Sequence, residues 1–257
     1  MAHLMRAAKS ASRWTAHDLL AFNIAIQDVD SATFFGTPHL PATTVSPVVL
    51  NNVTRPRPPA VITDDERLFF AHLKYLNTEK SSPHDFTRHL LSMLRFDHNE
   101  RLLTMRESMT FTMCGARVRA KADVAVYMME ASNVEYLLMV KAAKTNIAAK
   151  EPVPQMIAQT IAAFVENNRP RQHPLLEQII LAITMAGPCP IFYKVPVTQD
   201  LVSSLSTGKY PSQSIIVQRL VPPVVDKAAY MIHGMNPLPD RRIVFQCLEA
   251  MRALLDG

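Results

Sequence analysis

Residues 135–144 read EYLLMVKAAK, an apolar run that ends in two lysines separated by two alanines. Lysine is costly to bury, so core strands carry it only where a nearby group offsets the charge. The run is short, rich in strand formers and closes a longer stretch of period-two alternation. LTMRESMTFTM (103–113) and ARVRAKADVAVYM (116–128) alternate in the same way. The three segments predict three consecutive strands. The turns between them, at Cys114-Gly115 and Ala131-Ser132-Asn133, are short enough for an antiparallel meander.

Helical signals bracket the meander. TDDERLFFAHLKYL (63–76) opens on a capping box from Thr63 to Glu66, and SPHDFTRHLLSMLRF (82–96) has Ser82 before Pro83 at the first helical position. Beyond 144, QMIAQTIAAFVENN (155–168) predicts a helix with Met156, Ile157, Ile161 and Phe164 on its apolar side. Strands are predicted at 178–187, 191–197 and 214–221, and helices at 198–206 and 239–255. Toward the N-terminus, TAHDLLAFNIAIQ (15–27) predicts a helix capped by Thr15, with Asp18 at its third position. Residues 34–60 are rich in proline and threonine and predict an extended arm draped over the domain. The expected division is a flexible tail over 1–14, a helix and arm over 15–60, and one α+β domain over 61–257.

Composition narrows the function classes. The chain has 257 residues, 48% hydrophobic and 19% charged, with a formal net charge of +5. That predicts a soluble globular protein with no membrane partner, since no apolar stretch approaches the roughly 20 residues of a spanning helix. The basic N-terminus lacks the apolar core of a secretory signal. The expected location is therefore intracellular, cytoplasmic or nuclear, with a mitochondrial presequence as the alternative. Cys114, Cys189 and Cys247 stand far apart and suit neither a disulfide framework nor a zinc site. They are expected to be small buried hydrophobes. No nucleophile-elbow pattern supports acyl transfer. A mildly basic balance permits a nucleic-acid partner without demanding one. Lys141, Lys150, Arg169, Arg171, Lys194 and Arg219 surround the meander in sequence and are the first candidates for phosphate contacts.

The order helix, three antiparallel strands, helix, strand is the α-β-β-β-α-β order of the restriction-endonuclease-like, or PD-(D/E)XK, superfamily. KADVAVYM, LLMVKAAK, PVPQMIAQTIAAFVENN, ITMAGPCPIFYKVPVT and MNPLPDRRIVFQCLEAM carry a closer likeness. Through them the chain resembles an uncharacterised family of fungal proteins, chiefly from basidiomycetes, with a PD-(D/E)XK-like core. The resemblance implies an N-terminal helix and arm, extra C-terminal strands and a C-terminal helix around that core. It implies a site built from an aspartate on the second strand and a Glu-x-Lys triplet on the third. Two carboxylates hold Mg²⁺, a hard ion that prefers oxygen ligands, and the lysine orients or polarises the attacking water.

By that resemblance Asp123 is the first acid and metal ligand, and Lys144 the catalytic lysine. Family members resemble LLVQEDK where this chain has LMVKAAK, and PEPQLIAEAIAAF where it has PVPQMIAQTIAAF. Ala142 then stands in place of the second acid and Ala143 in place of an aspartate. Val153 and Gln159 replace two further glutamates. The breadth of this change favours natural loss over engineering. Gln155 and Gln159, at i and i+4 on one helix face, are expected to touch a substrate backbone. Glu166 or Asp85 could supply a displaced acid. Equally, Asp123 and Lys144 could form only a cross-strand ion pair.

Three functions remain open at this point. The favoured one is a non-catalytic or strongly impaired nuclease relative that retains nucleic-acid binding and needs no cofactor. The second is an active Mg²⁺-dependent nuclease with a displaced carboxylate. The third is an interaction or accessory protein without a nucleic-acid role. Strand alternation puts positions 142 and 144 on one face, so Ala142→Glu is expected to raise Mg²⁺ affinity.

Overall fold

A computed structural model of the chain describes residues 6–76, 82–130, 133–143 and 151–256. A 3-10 turn, Ala11–Arg13, precedes α1 (Ala16–Ala21), β1 (Ile24–Asp28), α2 (Ser31–Phe35) and α3 (Pro47–Asn51). Then come α4 (Asp64–Tyr75), α5 (Pro83–Met93), β2 (Arg101–Met105), β3 (Ser108–Met113), β4 (Ala116–Lys121), β5 (Val124–Glu130) and β6 (Asn133–Ala143). The chain continues through α6 (Pro152–Asn168), β7 (Glu177–Ala186), β8 (Cys189–Thr198) and α7 (Gln199–Thr207). It ends with β9 (Ile215–Leu220), α8 (Lys227–His233) and α9 (Leu238–Ala253). None of these helices is long and apolar enough to cross a membrane.

The fold is α+β around a mixed seven-stranded sheet of order β1-β9-β8-β7-β6-β5-β2. β2, β5 and β6 run antiparallel; β7 lies parallel to β6, which requires the α6 crossover between them. β8 and β9 continue antiparallel, and β1 closes the edge parallel to β9. A separate two-stranded sheet, β3–β4, packs against α6.

Two apolar clusters sandwich the main sheet. On one face Met139, Ala125, Ala182 and Val195 meet α6, the β3–β4 hairpin, and Trp14 and Phe22 from the N-terminal segment. On the other, Val124, Val140, Ile183 and Phe192 meet α4, α5 and α9 through Phe69, Phe86 and Phe245. Val124 and Ala125 go to opposite clusters because successive strand residues point to opposite faces. Cys189 and Cys247 are buried, as expected, and burial pushes both thiols up to about 12, whereas Cys114, in the turn between β3 and β4, is only partly buried.

The predicted caps hold. Thr63 Oγ1 accepts from Glu66 N at 3.2 Å, while the Glu66 carboxylate takes Thr63 N at 2.6 Å. Thr15 caps α1 through Asp18, which also binds Lys9 Nζ at 2.6 Å. α6 covers the predicted 155–168 segment, with Met156, Ile157, Ile161 and Phe164 all fully buried.

Several boundaries differ from the sequence pattern. The helix predicted over 15–27 stops at Ala21, and Asn23 takes φ 54°, so that Ile24–Asp28 joins the sheet as β1. Pairing with β9 overrides a local helical period. The arm over 34–60 contains α3, and α8 was not anticipated. The predicted 1–14 tail is anchored at its end, because Ala11 and Trp14 are fully buried. Where alternation predicts one strand over 103–113 and another over 116–128, each divides in two. β2 and β5 pair in the main sheet, while β3 and β4 fold back as the hairpin. Alternation persists through the break because β4 keeps Val118 and Ala120, and β5 keeps Val124 and Val126, at every second position.

Candidate functional site

Asp123 stands immediately before β5, in the short connection from β4, and not within the second strand itself. Register explains its neighbours. Val124 pairs with Val140, so Asp123 falls opposite Lys141 and their side chains share a face. Lys141 Nζ donates to Asp123 Oδ2 at 2.7 Å, and Ala142 N donates to the same oxygen at 3.0 Å. Both side chains are largely shielded, at 17% and 15% exposure. His84 Nδ1, on α5, lies 3.8 Å from this oxygen, beyond hydrogen-bond range, and has no hydrogen-bond partner among the described residues.

The lysine held by Asp123 is therefore Lys141, which by sequence alone stands only among scattered basic residues. Lys144, the expected partner, lies outside the described residues, as does Lys150. The register signal that could have identified Lys141 depends on where β5 starts, and that start is hidden by the continuous alternation from 116 to 128. His84 carried no sequence signal.

Ala142 is 3% exposed and belongs to the α4–α5–α9 cluster, with Val140 and Leu138. A carboxylate there would enter an apolar, nearly closed space. Ala143 points to the other face, as alternation requires. Val153 is buried in the α6 cluster.

The two glutamines part company. Gln155 is partly exposed, whereas Gln159 is fully buried and donates through Nε2 to Lys121 O at 2.6 Å. Gln159 thus ties α6 to the end of β4, two residues before Asp123, in place of the expected substrate contact. Its Oε1 is buried with no partner among the described residues. Glu166 accepts from Thr110 N at 3.1 Å and pairs with Arg169 at 2.5 Å, so its carboxylate is engaged at the hairpin. Asp85 lies on the first turn of α5.

The proposed phosphate contacts are mostly committed elsewhere. Arg171 pairs with Glu135 at 3.0 Å and Arg219 with Asp28 at 2.6 Å, while Lys194 Nζ sits 5.2 Å from the Phe34 ring. Burial lowers the Lys194 ammonium pKa. Among the described residues no group of three His, Cys, Asp or Glu side chains converges as a metal-ligand set.

Burial beside α5 also holds the His72 imidazole below its usual value; His89 adds to this and Asp85 opposes it. The unfolded chain then binds more protons below about pH 6.5 than the folded one. Stability should consequently be full above that value and decline as pH falls through the lowered folded value. Urea midpoints against pH should show the decline, and His72→Gln should flatten it. The carboxylates held low by partners, Asp28 by Arg219, Glu66 by Ser46 and Asp256 by Arg101, act in a separate window below about pH 4.

Comparison with protein-family models and with curated proteins finds no match.

Proposed function

We propose that this chain is a non-catalytic or strongly impaired relative of the PD-(D/E)XK nucleases that retains affinity for nucleic acid. The succession α5, β2, β5, β6, α6, β7, with only β7 parallel in that unit, supports the restriction-endonuclease-like assignment. The observation that carries the impaired state is the engagement of Asp123. Its Oδ2 accepts from an ammonium at 2.7 Å and a backbone amide at 3.0 Å, with an alanine where the family resemblance has the second acid. A divalent ion at this carboxylate would have to displace Lys141 or share its oxygen with a like charge. A single carboxylate so held is a weak ligand for Mg²⁺, which binds proteins through one or two carboxylates completed by water and phosphate oxygens.

Calorimetric titration with Mg²⁺ and Mn²⁺ should show weak uptake that Asp123→Asn leaves unchanged, together with no cleavage of DNA or RNA above background. Tight stoichiometric uptake abolished by Asp123→Asn would overturn the proposal. The reversion Ala142→Glu introduces a carboxylate into an apolar site, so its metal titration has to be accompanied by a urea melt.

A further inference from the structure

The β3–β4 hairpin has two chemically distinct faces. Met109, Phe111, Met113 and Ala120 are buried in the cluster around α6. The register pairs Ser108 with Lys121, Thr110 with Arg119 and Thr112 with Arg117. Residues opposite one another share a face, so these six side chains form the outer one. It holds three cations, three hydroxyls and no acid. Arg117, Arg119 and Lys121 are exposed, and among the described residues none of them has an ion-pair partner. Arg117 donates to Thr110 Oγ1 from Nε at 3.1 Å and from Nη2 at 3.0 Å. Arg169 Nη2 reaches the same oxygen at 3.4 Å, but its charge is met by Glu166, to which Thr110 Oγ1 donates at 3.5 Å. Crowding like charges in this way works against folding, and a bound polyanion relieves it.

We infer that this outer face is a docking surface for the backbone of duplex DNA. Alternate residues on a strand stand about 6.6–6.8 Å apart. Each strand of the duplex carries one charge per ~3.4 Å of helix axis and winds around that axis, so a row of three cations at this spacing faces consecutive phosphates of one backbone. Ser108 and Thr112 add hydroxyls of the kind that bind phosphate oxygens. The hairpin packs on α6 through its inner face, so only the outer face meets the DNA backbone and binding is independent of sequence. No aromatic side chain stands on this face to stack unpaired bases, which disfavours single strands. The track ends at Lys121, two residues from Asp123, and it rests on the proposed function only for the choice of nucleic acid as ligand.

Fluorescence anisotropy with a short random-sequence DNA duplex over a range of salt tests the assignment. Replacing Arg117, Arg119 and Lys121 together by glutamine should lower affinity by ~10-fold or more and flatten the slope of log K against log salt by roughly 2–3. Replacing Arg55, Arg57 and Lys74 by glutamine removes the same charge elsewhere and should leave affinity near wild type. Urea melts of both triple variants verify that each is folded. Equal losses in the two variants would reduce the effect to net charge and overturn the inference. Wild-type affinity in the hairpin variant would overturn it while leaving the nuclease-relative proposal standing. No DNA binding by wild type at low salt would overturn it together with the nucleic-acid part of that proposal, which the metal titration probes separately. Equal binding of duplex RNA or polyglutamate, with the same dependence on the hairpin, would overturn the commitment to DNA.

Discussion

Arg241→Met should lower the free energy of unfolding by about 3–5 kcal/mol, read as a shift in the urea midpoint at unchanged slope. Arg241 is fully buried near the start of α9 and carries no carboxylate partner among the described residues. Its charge is met by carbonyls. Nε donates to Met235 O at 2.9 Å, and Nη1 to Val49 O at 2.8 Å and Asn52 O at 2.6 Å. Nη2 reaches Asn236 O at 3.2 Å and Val53 O at 3.5 Å. The guanidinium also lies 5.4 Å from the Phe69 ring centroid. Burial lowers its pKa to about 10, which leaves it cationic at neutral pH.

One side chain thus fastens α3 and the segment after it to the start of α9. Methionine fills similar volume but leaves those carbonyls without donors in a closed space. Arg241→Lys should recover only part of the loss, because one ammonium with three donors cannot reproduce the planar fork. Hydrogen exchange should rise in residues 48–54 of both variants, since the arm loses its anchor. An unchanged exchange pattern would mean that the arm is held by its apolar contacts alone.

The second large effect is expected at the centre of α6. Ile161→Ala should cost roughly 2–5 kcal/mol. α6 is covered on both sides, by β6 and β7 of the main sheet and by β3 and the N-terminal 3-10 turn, and Ile161 is fully buried there. Neighbours on both sides limit collapse into the space left by the removed atoms. A cost well under 1 kcal/mol in a urea melt would show that this side of α6 is loosely packed.

The contrast between α6 and β1 explains which elements were legible in the sequence. α6 satisfies helical period, length and a proline start together, and its apolar side was identified correctly. β1 is five residues long, and its sequence, following directly on α1, continues an apolar spacing that also suits a helix. Nothing within residues 15–27 encodes the presence of β9 nearly two hundred residues later. The hairpin was missed for a related reason. Alternation reports that a residue faces a core, but not which sheet carries it, so two short strands and one long strand produce the same pattern.

By itself the sequence determined the α+β class, the caps of α1, α4 and α5, the helix α6 and the buried character of Cys189 and Cys247. Each follows from interactions within a few residues or from a simple period. Only the tertiary structure decided that Asp123 is held by Lys141, that Gln159 is spent on a backbone carbonyl and that β4 exposes a row of cations. Those outcomes depend on strand register and on which surfaces close over one another. A shift of one residue in β5 against β6 would turn Asp123 to a different neighbour, because strand partners are chosen by long-range pairing and side chains alternate at every step.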